Sequence, residues 1–314
     1  MCEQVAPDQL VHDVVRAEQA GFDFSVTSDH FQPWLKEQGH SGYAWAILGA
    51  AAQATERIGL MTYVTCPTLR YHPAIVAQKA ATIQILSRNR FRLGLGSGEN
   101  LNEHVVGHGW PAVGVRHEML SEAVDIIAAL FDDEQRVNYR GRHFEVEQAQ
   151  LWDRPSTRVP IGIAVSGKSS CELAGHKADL MVAVEPKAEL GEMFDAAGGA
   201  GKPRVGQIAL AYDNDREAAV QRAHEQFRWF GLGWKVNADL PNPESFDAAT
   251  AFVRPEDVGE QLGCGPDVEE HVEKIRPFLD AGFDEVALVQ IGADSQAEFI
   301  DWAKEKLLPA LRSL

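Results

Sequence analysis

Apolar residues along this chain follow two alternating rhythms. Stretches with apolar positions three and four residues apart give way to short apolar runs bounded by Gly, Asp or Pro. Leu10, Val14 and Ala17 share one helical face, and Ala20-Gly21-Phe22-Asp23 then leads into a strand at 24–28. Near the other end, a helix over 267–280 leads through Ala281-Gly282-Phe283-Asp284 into a strand at 285–291. In both copies Gly ends the helix in a left-handed cap and Phe packs under the next layer. Further strands are predicted at 57–64, 90–96, 160–166, 179–184 and 205–211. Helices are predicted at about 45–55, 74–87, 114–132, 187–198, 214–229 and 295–308. Such alternation implies a parallel sheet with right-handed crossovers. A (β/α)8 barrel is expected, with a doubly wound open sheet as the competing fold. The strands number seven, one short of a closed barrel. Met1-Cys2-Glu3-Gln4 stands directly before the first helix, so a first strand is expected to be truncated or missing.

Two segments break the rhythm. Val137–Phe144, with Tyr139-Arg140-Gly141-Arg142 at a turn, reads as a small hairpin inserted near 136–150, before Trp152. Residues 229–265 form a long insertion rich in Gly, Pro and Trp, of the kind that caps a site or builds a subunit contact. Nothing splits the chain, so residues 1–314 are expected to form one domain. Composition narrows the function classes. Of 314 residues 45% are hydrophobic, enough for a sizeable core. A net charge of −17 argues against nucleic acid and against an anionic membrane surface. Cys2, Cys66, Cys171 and Cys264 lie far apart without a C-x-x-C pair, as in a reduced cytoplasmic protein.

Candidate chemistry sits where strands end. Ser28-Asp29-His30-Phe31-Gln32-Pro33-Trp34 follows the strand at 24–28 and would place a titratable base, a possible orienting carboxylate and an aromatic at a barrel mouth. An N-capping Asp with a buried His is the plainer alternative. Gly94-Leu95-Gly96-Ser97-Gly98-Glu99-Asn100 follows the strand at 90–96. Its glycines would let backbone approach a flat ring, with Glu99 at the mouth or in a solvated loop. The spacing is not a dinucleotide fingerprint. Val165-Ser166-Gly167-Lys168-Ser169-Ser170 opens a helix and suits a phosphate seat or an ordinary N-cap. Cys66 before Pro67 reads as a buried thiol. Glu103, His104 and His108 lack zincin spacing and read as a solvated loop.

Taken in order, Ser28–Trp34, Cys66-Pro67-Thr68-Leu69-Arg70-Tyr71-His72-Pro73 and Gly96-Ser97-Gly98-Glu99-Asn100-Leu101-Asn102-Glu103 resemble the luciferase-like superfamily. More narrowly they resemble the coenzyme F420-dependent glucose-6-phosphate dehydrogenase family. The likeness is dense over 3–190 and thinner over 200–314. It implies a luciferase-like TIM barrel, a cytoplasmic homodimer, and hydride transfer between an alcohol or carbonyl substrate and C5 of a bound 8-hydroxy-5-deazaflavin. It assigns His30 as the catalytic group on the substrate oxygen. Trp34 falls at the reacting centre, and Glu99 near N1 of the ring as proton donor or acceptor. Asp29, Ser97, Gly98 and Asn102 fall on cofactor-contacting positions. Tyr63-Val64 falls on a non-prolyl cis peptide against the ring, and Ser166, Gly167 and Lys168 on the segment holding the coenzyme phosphate. The chemistry agrees: alcohol oxidation needs a base on the hydroxyl as hydride leaves carbon, and a neutral-range His suits it.

The expected substrate cations are incomplete. Lys187 matches one phosphate-binding lysine. Phe246-Asp247-Ala248-Ala249-Thr250 has no basic residue where a second is expected, and Gln261 stands at the arginine position. Losing two cations removes much of the charge-assisted binding of a dianion, unless Arg254 compensates. Glucose 6-phosphate is therefore not the expected substrate. The competing functions are an FMN-dependent monooxygenase of the same superfamily, a metal-dependent barrel hydrolase using Asp29, His30, His104 and His108, and a catalytically silent flavin-binding protein. No metal site is assigned.

Overall fold

The computed structural model of this chain describes residues 1–132 and 135–314. The core repeat runs α1 (Pro7–Ala20), β1 (Phe24–Thr27), α2 (Ala44–Ala54), β2 (Gly59–Thr62), α3 (Pro73–Leu86), β3 (Phe91–Leu95) and α4 (Val113–Asp132). A hairpin of β4 (Val137–Arg140) and β5 (Glu145–Ala149) interrupts it. The repeat resumes with β6 (Ile161–Ala164), α5 (Lys168–Lys177), β7 (Leu180–Ala183), α6 (Ala188–Phe194), β8 (Arg204–Ala211) and α7 (Arg216–Phe227). It ends with β9 (Gly263–Cys264), α8 (Val268–Asp280), β10 (Glu285–Gln290) and α9 (Gln296–Trp302). Gly21 takes a left-handed conformation, φ 95°, and its N–H closes the last turn of α1 on Ala17 and Glu18 carbonyls. That is the cap read from the first Ala-Gly-Phe-Asp.

The main sheet is parallel, in the order β1-β2-β3-β6-β7-β8-β10, with β9 added to β8. The order is that of the (β/α)8 barrel expected from the sequence. Both faces of the sheet are apolar: Leu60, Leu93, Leu95, Ile161 and Ile163 pack under the helices, and Met61, Leu180, Val182 and Val205 pack together on the inner side. Glycines let strands and side chains close up. A Cβ on Gly94 would overlap the Thr62 carbonyl oxygen, and one on Gly206 would fall 2.5 Å from Phe278. β1 pairs with β2, and β10 with β8. Among the described residues no ladder joins β10 to β1. A slot lies between them, lined by Val14, Ala17, Phe24, Val286, Leu288 and Phe299, which matches the sequence count of one strand too few. No helix among the described residues is long and apolar enough to cross a membrane.

Several boundaries differ from expectation. The hairpin reaches Ala149, and Tyr139 and Arg140 pair within β4 while the turn falls after them. Glu122 is the reason: its carboxylate accepts the N–H groups of Arg142, His143 and Phe144, anchoring the turn there. The helix expected over 187–198 ends regularly at Phe194 and finishes in a wider turn, Asp195–Gly199, where Gly198 has φ 94°. A short helix, Asn100–Glu103, begins directly after Glu99, where none was expected. The insertion over 229–265 is a series of short helical turns, including Trp234–Asn237, Pro243–Ala249 and Pro255–Gly259, but its last residues, Gly263–Cys264, form β9, a strand on β8 that the sequence pattern did not predict.

Candidate active site

The residues after the carboxyl ends of β1, β2, β3, β6 and β7 line one end of a cavity that runs on into the slot between β10 and β1, about 1420 Å³ in all. His30, Trp34, Tyr63, Val64, Ser97, Gly98, Glu99, Ser166, Gly167 and Lys168 all border it. Topology explains the convergence, since every parallel strand delivers its following loop to the same rim.

His30 lies between two carboxylates. Its Nδ1 is 2.7 Å from Glu3 Oε1, a close ion pair off the line of an ideal hydrogen bond. Its Nε2 is 3.6 Å from Glu99 Oε1. Glu3 is 3% exposed and also accepts a 2.6 Å hydrogen bond from Ser28 Oγ. Burial opposes the imidazolium, but the Glu3 contact and charge, with Glu99 behind them, outweigh it and raise the His30 pKa above its ordinary 6.5. Arg70 pushes the other way. For Glu3, burial raises the carboxyl pKa, yet His30 and Ser28 hold it below the usual carboxylate range. The first residues are fixed for this purpose: the Met1 amine donates to the Gln290 carbonyl at 3.1 Å, and Gln4 Oε1 accepts from Gly292 N at 2.9 Å. Sequence reasoning missed Glu3. Its only signal was that it, like His30 and Glu99, stands in a loop leading into a helix.

Asp29 and Asn102 do not border the cavity. Asp29, 2% exposed, accepts hydrogen bonds from Trp45 Nε1, Thr65 Oγ1 and Tyr71 Oη. Arg70 adds an ion pair at 3.5 Å and a hydrogen bond to the Asp29 carbonyl. Asp29 thus fixes the wall behind His30. Asn102 Oδ1 accepts from the Phe31 and Gln32 N–H groups, while its Nδ2 donates to Glu99 Oε1 at 2.7 Å. One buried amide therefore ties the His30 loop to Glu99. Behind it Glu103 meets Arg70 at 2.8 Å. Burial pushes the Glu103 carboxyl up to about 7, against the pull of Arg70. Arg70 and Glu103 were quoted in the motifs without these roles.

The cavity floor is Val26, Val64 and Ala164. The Tyr63–Val64 peptide is cis, and Tyr63 Oη donates to the Ala183 carbonyl at 3.1 Å. Val64 fills the space a Cβ on Gly96 would need, at 2.6 Å. At one end, Ser170 Oγ accepts from the Ser166 and Gly167 N–H groups. Ser170, the third residue of the helix, thus ties its start back on itself, and Lys168 and Ser169 remain on the cavity rim. Lys168 is mostly exposed, 3.8 Å from Glu172.

Other candidates lie apart. Lys187 does not border the cavity; it is solvent-facing and paired with Glu185 at 2.9 Å. Arg254 binds Asp257 at 2.6 Å, also away from the cavity, and so does not replace the missing cations. Gln261 does border it. Cys66 is buried, as its sequence setting suggested, and burial with the Glu103 charge pushes its thiol pKa well up. His104 caps back onto the Asn100 carbonyl, and His108 lies beyond Gly107, which ends that helical turn. Among the described residues no three His, Cys, Asp or Glu side chains are grouped to hold a metal ion. The set proposed for a hydrolase does not assemble.

The chain belongs to the luciferase-like monooxygenase family, whose family model matches residues 3–285. Within it, the chain is 35% identical over 326 residues to an F420-dependent glucose-6-phosphate dehydrogenase of Nakamurella multipartita, covering 99% of this chain and 95% of the relative. An F420-dependent glucose-6-phosphate dehydrogenase of Beutenbergia cavernae is likewise 35% identical, with coverage of 99% and 95%. Among solved structures, an F420-dependent secondary alcohol dehydrogenase in complex with an F420–acetone adduct matches with a TM-score of 0.87 and 30% identity. That match covers 96% of this chain and 94% of the other.

Proposed function

We propose that this protein is a coenzyme F420-dependent oxidoreductase that interconverts an alcohol and a carbonyl compound. The observation that carries the reading is His30 held between Glu3 and Glu99 beside Trp34 at the barrel mouth. The residues fit the coenzyme. An apolar floor of Val26, Val64 and Ala164 suits a flat ring, and the Ser166–Ser169 helix start suits a phosphorylated tail. When bound, the deazaflavin supplies the hydride acceptor or donor at its C5.

The chain's own groups do the rest. His30 takes the hydroxyl proton during oxidation and returns it during reduction, and Glu3 fixes the ring and favours its protonated form. Glu99 stands on the other side of His30, where its carboxyl could hold or release a proton beside a bound ring. Ser97 and Gly98 would line the ring site, and Ser166, Gly167 and Lys168 would hold the coenzyme phosphate. Asp29 and Asn102 act indirectly by fixing the loops that carry His30 and Glu99. Because Lys187 is paired elsewhere and Ala248 and Gln261 replace cations, the substrate is a neutral secondary alcohol or ketone in preference to a sugar phosphate.

We also infer a cytoplasmic homodimer. The outer faces of α2 and α3 present Tyr43, Ala46, Ala50, Ile75, Gln78, Thr82 and Ile85. No exposed charge interrupts that strip on a chain of net charge −17, as a self-complementary interface requires. Light scattering after gel filtration should give about twice 34.5 kDa.

The deciding experiment is fluorescence titration of the purified protein with F420, FMN and NADP, followed by loss of the deazaflavin visible band on adding secondary alcohols. Tight F420 binding with alcohol-dependent bleaching is expected. Equal or tighter FMN binding overturns the reading in favour of a flavin monooxygenase.

A further inference from the structure

An aromatic wall stands next to His30, and only part of it belongs to the motif already discussed. The Trp34 ring meets His30 edge-on at 5.2 Å. Its edge-on neighbour elsewhere is the fully buried Phe246, at 5.1 Å. Its face is covered by Trp229, stacked at 4.1 Å and tilted by only 10°. Trp229 comes from the insertion after α7 and borders the same cavity. It is itself clamped by Phe227 at 4.7 Å and Phe230 at 6.3 Å.

The backbone under this ring is pinned. Arg228, one residue earlier, donates to the Glu225 carbonyl at 2.7 Å and to Asp247 at 2.6 Å, and approaches Glu37 at 3.5 Å. Its charge is therefore spent on three protein acceptors and anchors the wall. The Trp229 indole N–H is buried and has no hydrogen-bond partner. Such a donor costs free energy, and a Leu or Phe would pack there without that penalty. Here the ring acts by its bulk and flatness.

We propose that Trp229 is the specificity-determining wall of the substrate pocket, restricting it to alcohols and ketones with small, uncharged substituents. The inference rests on the alcohol–carbonyl reading above. Trp34 cannot serve as the adjustable element, because its contact with His30 couples any change to the base. Trp229 lies one ring further out, so its removal opens space beside Trp34 while leaving the His30–Glu3–Glu99 contacts alone.

The test compares kcat/KM for 2-propanol and for 1-phenylethanol with F420, in the unaltered protein, Trp229→Ala and Trp229→Phe. Small steric changes in an apolar pocket shift such ratios by about 10- to 200-fold. Trp229→Ala should raise the 1-phenylethanol to 2-propanol ratio at least about tenfold, chiefly through a lower KM for the bulky alcohol. Trp229→Phe, which keeps a flat ring, should stay within about threefold of the unaltered ratio. A merely structural role would instead depress both alcohols in proportion, and F420 affinity and melting temperature show whether either variant is misfolded. An unchanged ratio in a folded, F420-binding Trp229→Ala overturns the inference and leaves the functional reading standing. If Trp229→Ala does not fold, a Trp229→Phe ratio shifted as far as tenfold either way still decides against a flat-ring wall. Absence of turnover of both alcohols by the unaltered, F420-loaded protein overturns the functional reading, and this inference with it.

Discussion

Replacing Glu3 by Gln keeps the side-chain shape and removes one charge from His30. In the native site His30 Nδ1 is 2.7 Å from Glu3 Oε1, and both side chains are largely shielded from water. Burial by itself would depress the imidazole pKa; Glu3, aided by Glu99, lifts it above 6.5 against that penalty and against Arg70. An interaction with a charged partner in such a place contributes about 1.5–3 kcal/mol. Its loss should therefore lower the His30 pKa, because burial and Arg70 then act against less opposition. The sign in kinetics follows from which form works. Oxidation needs neutral imidazole, so native activity rises as pH climbs through the raised pKa. In Glu3→Gln that acid limb should move to lower pH. In the reduction direction, which needs the imidazolium, activity should fall away at correspondingly lower pH. The assay is the pH dependence of kcat/KM for a confirmed alcohol, followed by the deazaflavin visible band, with melting curves on the same samples. An acid limb that stays in place in a folded variant would refute the claim that Glu3 sets the protonation of His30. A limb that moves upward would reverse its sign.

Three other outcomes are expected. His30→Ala should cost roughly 10²–10⁴ in kcat with F420 affinity nearly intact, and Glu99→Gln should slow hydride transfer with a changed pH profile. Wild-type rates in both, measured by stopped-flow, would mean that the site is misplaced. Gly94→Ala should destabilise the barrel by about 1–3 kcal/mol or more, because the new methyl meets the Thr62 backbone carbonyl, which cannot move aside; denaturant melts would show a lowered midpoint. Glucose 6-phosphate should be a poor substrate, since Lys187 is already neutralised by Glu185 at 2.9 Å and that carboxylate, not the ammonium, borders the cavity. Turnover near 10 s⁻¹ at sub-millimolar concentration, of the order typical for efficient enzymes, would contradict this.

Local pattern alone determined much of this protein. The alternation of helix-spaced and continuous apolar runs defined seven parallel strands and their order of connection, because periodicity and glycine caps are properties of neighbouring residues. It also located the loops with His30, Trp34, Tyr63-Val64, Glu99 and Ser166–Lys168, since in a parallel barrel every strand end must reach the same rim. What side chains face from those loops was decided only by the tertiary structure. Asp29 and His30 are adjacent in sequence yet point to opposite sides of the wall, and only His30 reaches the cavity. Glu3 meets His30 across 27 positions, and Trp229 meets Trp34 across 195; no local periodicity encodes either pairing. Lys187 lies in the expected loop, but Glu185, two residues away, holds its ammonium and is itself the residue that borders the cavity. Distant contacts of this kind depend on the curvature of the sheet and on which rotamers its packing leaves open. They are settled when the barrel assembles, and they turn a set of strand-end motifs into a site with its proton held at one place.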